Sequence, residues 1–184
     1  VSLVLGGNDA AIVLPDVDPQ AIAEGLFWGA FINSGQTCCA LKRLYVHDSV
    51  HDEVVEALAE YARGVPQGEG ADEESRLGPL QNRRQYDIVS GLVEQAKASG
   101  ANVVMGGDPD HDAPGNFYPT TLITDIDPHH ELVLTEQFGP ALPIMRYTDL
   151  DEAVRLANEL EVGLGASVWS SDRERAREVA LRLE

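Results

Sequence analysis

Short apolar runs alternate with stretches of helical periodicity along the whole chain, and that alternation restricts the fold more than any other feature. Ala11-Ile12-Val13-Leu14 follows a Gly6-Gly7-Asn8-Asp9 turn and reads as a buried strand. Asp18-Pro19 then opens a helix, because Asp caps well and Pro suits the first helical position. Ile22, Leu26 and Ala30 recur at four-residue spacing along it as far as Gly35. A strand at Arg43–Val46 follows, and Ser49 is placed to cap a helix carrying Val50, Val54, Leu58 and Tyr61 on one face, ending near Gly64-Val65-Pro66. The segment Gly64–Leu80 is rich in Gly, Pro and acid, and with its Asp72-Glu73-Glu74 run it reads as solvated surface without chemistry. A helix from about Asn82 to Ser99 turns Val89, Val93 and Ala96 inward and leads through Gly100 to a strand at Asn102–Met105. Beyond a polar turn at His111–Asn116 come a strand at Tyr118–Ile123 and an irregular segment through Gly139-Pro140. A strand at Leu142–Tyr147, a helix at Asp149–Leu160, a strand at Ala166–Trp169 and a helix from Asp172 onward complete the series. Such alternation predicts an α/β fold, a mostly parallel sheet with helices on both faces. With 184 residues, 43% of them hydrophobic, the chain can bury one core, and no repeat or internal linker divides it.

Chemistry concentrates first in Phe31-Ile32-Asn33-Ser34-Gly35-Gln36-Thr37-Cys38-Cys39-Ala40, where an apolar helix runs out and delivers a cysteine into the next turn. On residue type alone both cysteines read as buried small hydrophobes. A thiol in that turn is also where a nucleophile would sit, since even a small thiolate fraction is strongly nucleophilic. In that reading Cys38 is accessible and Cys39 faces the core. Two adjacent cysteines form no disulfide framework and match no zinc spacing, which fits a reducing cytoplasm with a functional thiol. Thirteen Lys plus Arg against 31 Asp plus Glu give a formal charge of -18, which disfavours nucleic acid and anionic membrane surfaces as partners. No apolar run approaches a membrane span, and Val1–Leu5 lacks the basic flank of a signal peptide.

The five histidines, His47, His51, His111, His129 and His130, read as solvated helix or loop residues, although a Cys-His thiol hydrolase needs only a meeting in space and stays open. A dinucleotide fingerprint, Gly-x-Gly-x-x-Gly between strand and helix, is missing; Gly163-Leu164-Gly165 stands between helix and strand and reads as a helix-ending turn. In Glu136-Gln137-Phe138-Gly139-Pro140 an acid and an aromatic alternate into a Gly-Pro turn, and by themselves they read as surface and core.

An aromatic, three residues, Gly-Gln, one residue and Cys resembles the cysteine signature of the aldehyde dehydrogenase superfamily, and Glu136-x-Phe138-Gly139-Pro140 resembles its Glu-x-Phe-Gly-Pro motif. Similarity continues through Leu3–Gly7, Leu77–Leu80, Asn116–Thr120 and Ala157–Trp169. The resemblance implies a catalytic domain over residues 1–184, as a fragment of a larger chain that works with NAD or NADP and forms homo-oligomers when full length. It makes Cys38 the nucleophile toward a small aldehyde, oxidised to a carboxylic acid through a thiohemiacetal and a thioester. Glu136 becomes the carboxylate on the nicotinamide ribose, Phe138 the aromatic beside it, and Leu5 and Gln85 further cofactor contacts, Gln85 toward the adenosine ribose. The family's upstream oxyanion-hole asparagine, its ribose-gripping lysine and the downstream Asn-Pro-Phe-Gly are missing, so the isolated chain is expected to be inactive as a dehydrogenase. Where the family has Leu-Glu-Leu-Gly-Gly, with Glu as the base for thioester hydrolysis, this chain has Val4. That departure admits a coenzyme-A-acylating relative, or an inactive fragment acting in subunit contact.

Overall fold

The structure, a computed structural model, describes residues 6–184. Strands β1 (Asp9–Val13), β2 (Leu41–His47), β3 (Asn102–Met105), β4 (Thr121–Thr124), β5 (Ala141–Tyr147) and β6 (Ala166–Trp169) form one sheet in the order β3-β4-β5-β2-β1-β6. Every pairing is parallel except β3 with β4. Helices α1 (Pro19–Phe31) and α2 (His51–Arg63) cover one face. The other is covered by α3 (Arg83–Ala98), α4 (Glu131–Leu134), α5 (Leu150–Ala157) and α6 (Arg173–Ala180). The alternation of side chains along each strand decides which residues meet which layer: Ala11, Val13, Leu44, Leu142 and Ile144 join one core, and Ala10, Ile12, Tyr45 and Ala141 the other. Both faces being buried, the strands read as continuous apolar runs.

Four helices begin where their caps predict. Asp18, Asn82, Asp149 and Asp172 each accept first-turn backbone N–H groups through a side-chain oxygen, a contact that contributes about 1 kcal/mol. Ser49 does not cap α2. A 3-10 turn over Asp48–Val50 precedes the helix, and the Ser49 N–H donates to His47 Nδ1 at 3.2 Å. The helix expected to run to Gly35 stops at Phe31 and is followed by a turn in which Asn33 and Ser34 adopt left-handed φ of 54° and 57°. Strand β4 begins at Thr121, after Pro119, which has no N–H to give a ladder. Helix α4 was not expected: four residues are too few to show a helical period. Helix α5 ends at Ala157, before the expected Leu160, so Gly163-Leu164-Gly165 lies in the loop that feeds β6. Among the described residues no helix is long and apolar enough to cross a membrane.

Candidate active site

The sheet order brings the motifs together. Gly6-Gly7 precedes β1, Cys38 precedes β2 and Glu136–Pro140 precedes β5, and these three strands are adjacent and parallel. Segments as much as 129 residues apart therefore meet at the amino ends of three neighbouring strands. Glu136 Oε1 accepts the Gly7 N–H at 3.1 Å. A Cβ on Gly7 would stand 2.9 Å from the Cys38 carbonyl oxygen, so only bare backbone fits between the cysteine turn and the start of β1.

The cysteine turn is built by a left-handed reversal through Asn33, Ser34 and Gly35, the last at φ 72°. Non-glycine residues avoid this region by roughly 1–2 kcal/mol each, and here side-chain bonds offset the cost. Asn33 Nδ2 donates to the Gln36 carbonyl at 3.1 Å and the Ser34 hydroxyl to the Gly78 carbonyl at 2.7 Å. Gln36 Nε2 donates to the Asn33 and Pro79 carbonyls, and its Oε1 accepts the Gln81 N–H at 2.8 Å. The Gly64–Leu80 segment therefore buttresses the cysteine turn through Gly78 and Pro79, a role its composition did not show, while Asp72, Glu73 and Glu74 stand exposed as expected. Cys38 is partly buried. Among the described residues nothing accepts its backbone N–H. Cys39 corrects the expectation: it is exposed rather than turned to the core.

The second turn is fixed from within. Buried Gln137 donates through Nε2 to the Ala141 carbonyl at 2.6 Å, and the Gln137 carbonyl accepts from Gln85 Nε2. Phe138 follows in the left-handed region at φ 48°, partly exposed. Glu136 is half-buried, and among the described residues its carboxylate takes no bond besides that from Gly7, which anchors one oxygen. A carboxylate so held can accept hydrogen bonds from hydroxyl groups. Gln85 lies beside this turn, with its side-chain amide donating to the Gln137 carbonyl. Leu5 and Val4 lie outside the described residues.

None of the five histidines bonds to Cys38. His47 faces Ser49, His51 faces Asp52, His111 faces the Tyr86 hydroxyl, His129 faces Glu159, and His130 caps α4. His51 also departs from the solvated reading, since it is buried. Two residues that composition did not single out join the motifs. Lys42 Nζ donates to the carbonyls of Gly35 and Gly139 at 2.6 and 2.9 Å. Arg43 donates to the carbonyls of Asn8, Leu156 and Ala157, tying the start of β1 to the end of α5. The available signal was a pair of adjacent cations inside an otherwise apolar strand.

Comparison with known proteins agrees with this convergence. The model of the aldehyde dehydrogenase family matches residues 1–184. The peroxisomal aminoaldehyde dehydrogenase 1 of Pisum sativum is 37% identical over 185 residues, covering 100% of this chain and 37% of that protein. A solved betaine aldehyde dehydrogenase from Staphylococcus aureus, in complex with NAD+, superposes with a TM-score of 0.91 at 31% identity, covering 97% of this chain and 36% of that one. The NADP-dependent glyceraldehyde-3-phosphate dehydrogenase from Bacillus halodurans, complexed with NADP, gives 0.91 at 36% identity, covering 98% and 37%. The chain spans a little over a third of the length of these relatives. With residues 1–184 matched by the family model, and the motif residues gathered at one end of the sheet, the chain belongs to the aldehyde dehydrogenase family.

Proposed function

We propose that residues 1–184 are the catalytic segment of an NAD(P)-dependent aldehyde dehydrogenase, with Cys38 as its nucleophile. The observation that carries this reading is the meeting of the Cys38 turn with Glu136 and Phe138 at the amino ends of β2 and β5. The Cys38 thiolate adds to the aldehyde carbon; a carbon–sulfur bond forms and the carbonyl electrons move to oxygen, where the Cys38 N–H stabilises them. A bound nicotinamide cofactor supplies the hydride acceptor that turns the thiohemiacetal into a thioester. Glu136 holds the ribose next to the nicotinamide, Phe138 packs against that end of the cofactor, and Gln85 sets their turn through the Gln137 carbonyl. Leu5 completes the cofactor contacts. Water then displaces the thiol from the acyl carbon, releasing the acid and returning a proton to sulfur. The substrate is a small aldehyde, and the full-length protein is a cytoplasmic homo-oligomer.

Val4 favours a second reading, because an isopropyl group takes no proton from water. Transfer of the acyl group to the thiol of coenzyme A needs no base at that position. Both readings meet one experiment on the intact protein that carries this chain: single-turnover reaction with an aldehyde and NAD(P), following the Cys38 adduct by mass with and without coenzyme A. The adduct is expected to persist in water, and Val4→Glu is expected to speed its hydrolysis by roughly 10²–10⁴-fold, the usual reach of general-base catalysis. Rapid discharge by coenzyme A would identify the acylating enzyme. Fast hydrolysis with Val4 in place would remove position 4 as the base, and no adduct with any aldehyde would overturn the dehydrogenase reading. The 184-residue chain alone is expected to form no NAD(P)H, since positioning accounts for about 7–11 kcal/mol of such barriers.

A further inference from the structure

Lys42 is buried, with 2% of its surface exposed, and among the described residues it makes no ion pair. An ammonium taken out of water costs several kcal/mol even after relaxation, and a methionine would fill the same space without that cost. The local backbone shows where the side chain is sent. Asp9 pairs with Leu41 but Ala10 pairs with Arg43, so β2 carries one extra residue against β1, and that residue is Lys42. The bulge also explains why Leu41 and Leu44, three apart, share one core face. Bulges next to active sites re-aim side chains, and this one sets Nζ between the Gly35 and Gly139 carbonyls, one in each turn of the candidate site. A Cβ on Gly35 would lie 2.2 Å from the Gly139 oxygen, so the two turns touch at the point Lys42 bridges.

We propose that Lys42 is a positioning residue for the aldehyde chemistry: a buried strap that fixes the Cys38 turn against the Glu136–Phe138 turn. This rests on the dehydrogenase reading above. Burial pulls the Lys42 pKa down to about 7, with the Glu136 charge pulling the other way. A neutral amine keeps two N–H groups, one for each carbonyl, so the strap holds in both protonation states.

Lys42→Met in the intact protein separates a positioning role from a merely structural one. Its melting temperature at pH 6 is expected to equal or exceed that of wild type, because a buried charge is gone. The gain should shrink toward pH 9, since a lysine with a lowered folded pKa destabilises most below that pKa and least above its unfolded value. Hydrogen exchange is expected to rise about tenfold in both segments 35–40 and 137–140, and hydride transfer to slow by up to roughly 10²-fold, the effect of ångström-scale misplacement. Unchanged exchange and turnover would overturn the strap, as would a loss of activity no larger than a loss of folded protein. Should the variant not fold, slow exchange of the wild-type Lys42 Nζ protons by NMR is required, and fast exchange would overturn the proposal. A wild type that never reduces NAD(P) would instead overturn the dehydrogenase reading, while the exchange of the two turns still decides the strap.

Discussion

Cys39 presents more surface than Cys38, and this reverses what the position of Cys38 in the turn after the helix suggests about which thiol a reagent meets. Brief iodoacetamide treatment of the 184-residue chain is therefore expected to modify Cys39 at least as fast as Cys38, as read by peptide mass mapping. In the intact protein, Cys39→Ser should retain turnover and Cys38→Ser should lose it; equal loss in both would leave Cys38 without its special role. The proposed nucleophile was legible because its neighbours form a spaced pattern, Gly35-Gln36-x-Cys38. Its surroundings were not legible. Whether a side chain in a turn faces core or solvent is set by three left-handed residues upstream, and of the two non-glycines among them Asn33 is held by the nearby Gln36 carbonyl while Ser34 is held by the Gly78 carbonyl, 44 residues away, which no local pattern records.

The connections carry more of the site than the elements do. Strands and helices followed from apolar period and caps, with β3 and β6 matching their expected limits. Differences fall at α4, too short to show a period, at the start of β4 and the ends of α1 and α5, and in the Gly64–Leu80 segment, where bonds from Ser34 and Gln36 rather than local propensity decide the path. Gly35 offers the sharpest test at this scale. It combines φ 72° with a Cβ position 2.2 Å from the Gly139 oxygen, so Gly35→Ala meets both a strained backbone and a collision with backbone that cannot swing away. A loss of at least about 2 kcal/mol is expected in urea unfolding. A loss below about 0.5 kcal/mol would show that the two turns do not approach as described.

Across the whole molecule, distant segments are joined by single side chains. Asp16, after β1, accepts the hydroxyls of Ser170 and Ser171, each at 2.7 Å, and the N–H groups of Ser171 and Asp172, closing the first loop onto the start of α6. Those hydroxyl bonds lower its pKa from 3.8 to about 2. A folded pKa below the unfolded one contributes stability that is complete above about pH 4 and is lost as pH falls toward 2; allowing for solvent exposure, this is about 1 kcal/mol. Asp16→Asn should therefore melt lower than wild type at pH 6, and the gap should close by pH 2; a constant gap would assign the effect to something other than this carboxylate. Arg43 and Lys42 make comparable joins, with partners that lie 113, 114 and 97 residues further along the chain. During synthesis, at about 5–20 residues per second, the stretch from Lys42 to Gly139 takes roughly 5–20 s to emerge. For that interval the thiol of Cys38 is already outside the ribosome while one of the carbonyls that anchors its turn has not yet emerged. The growing chain thus passes through a period in which this thiol has no finished turn around it.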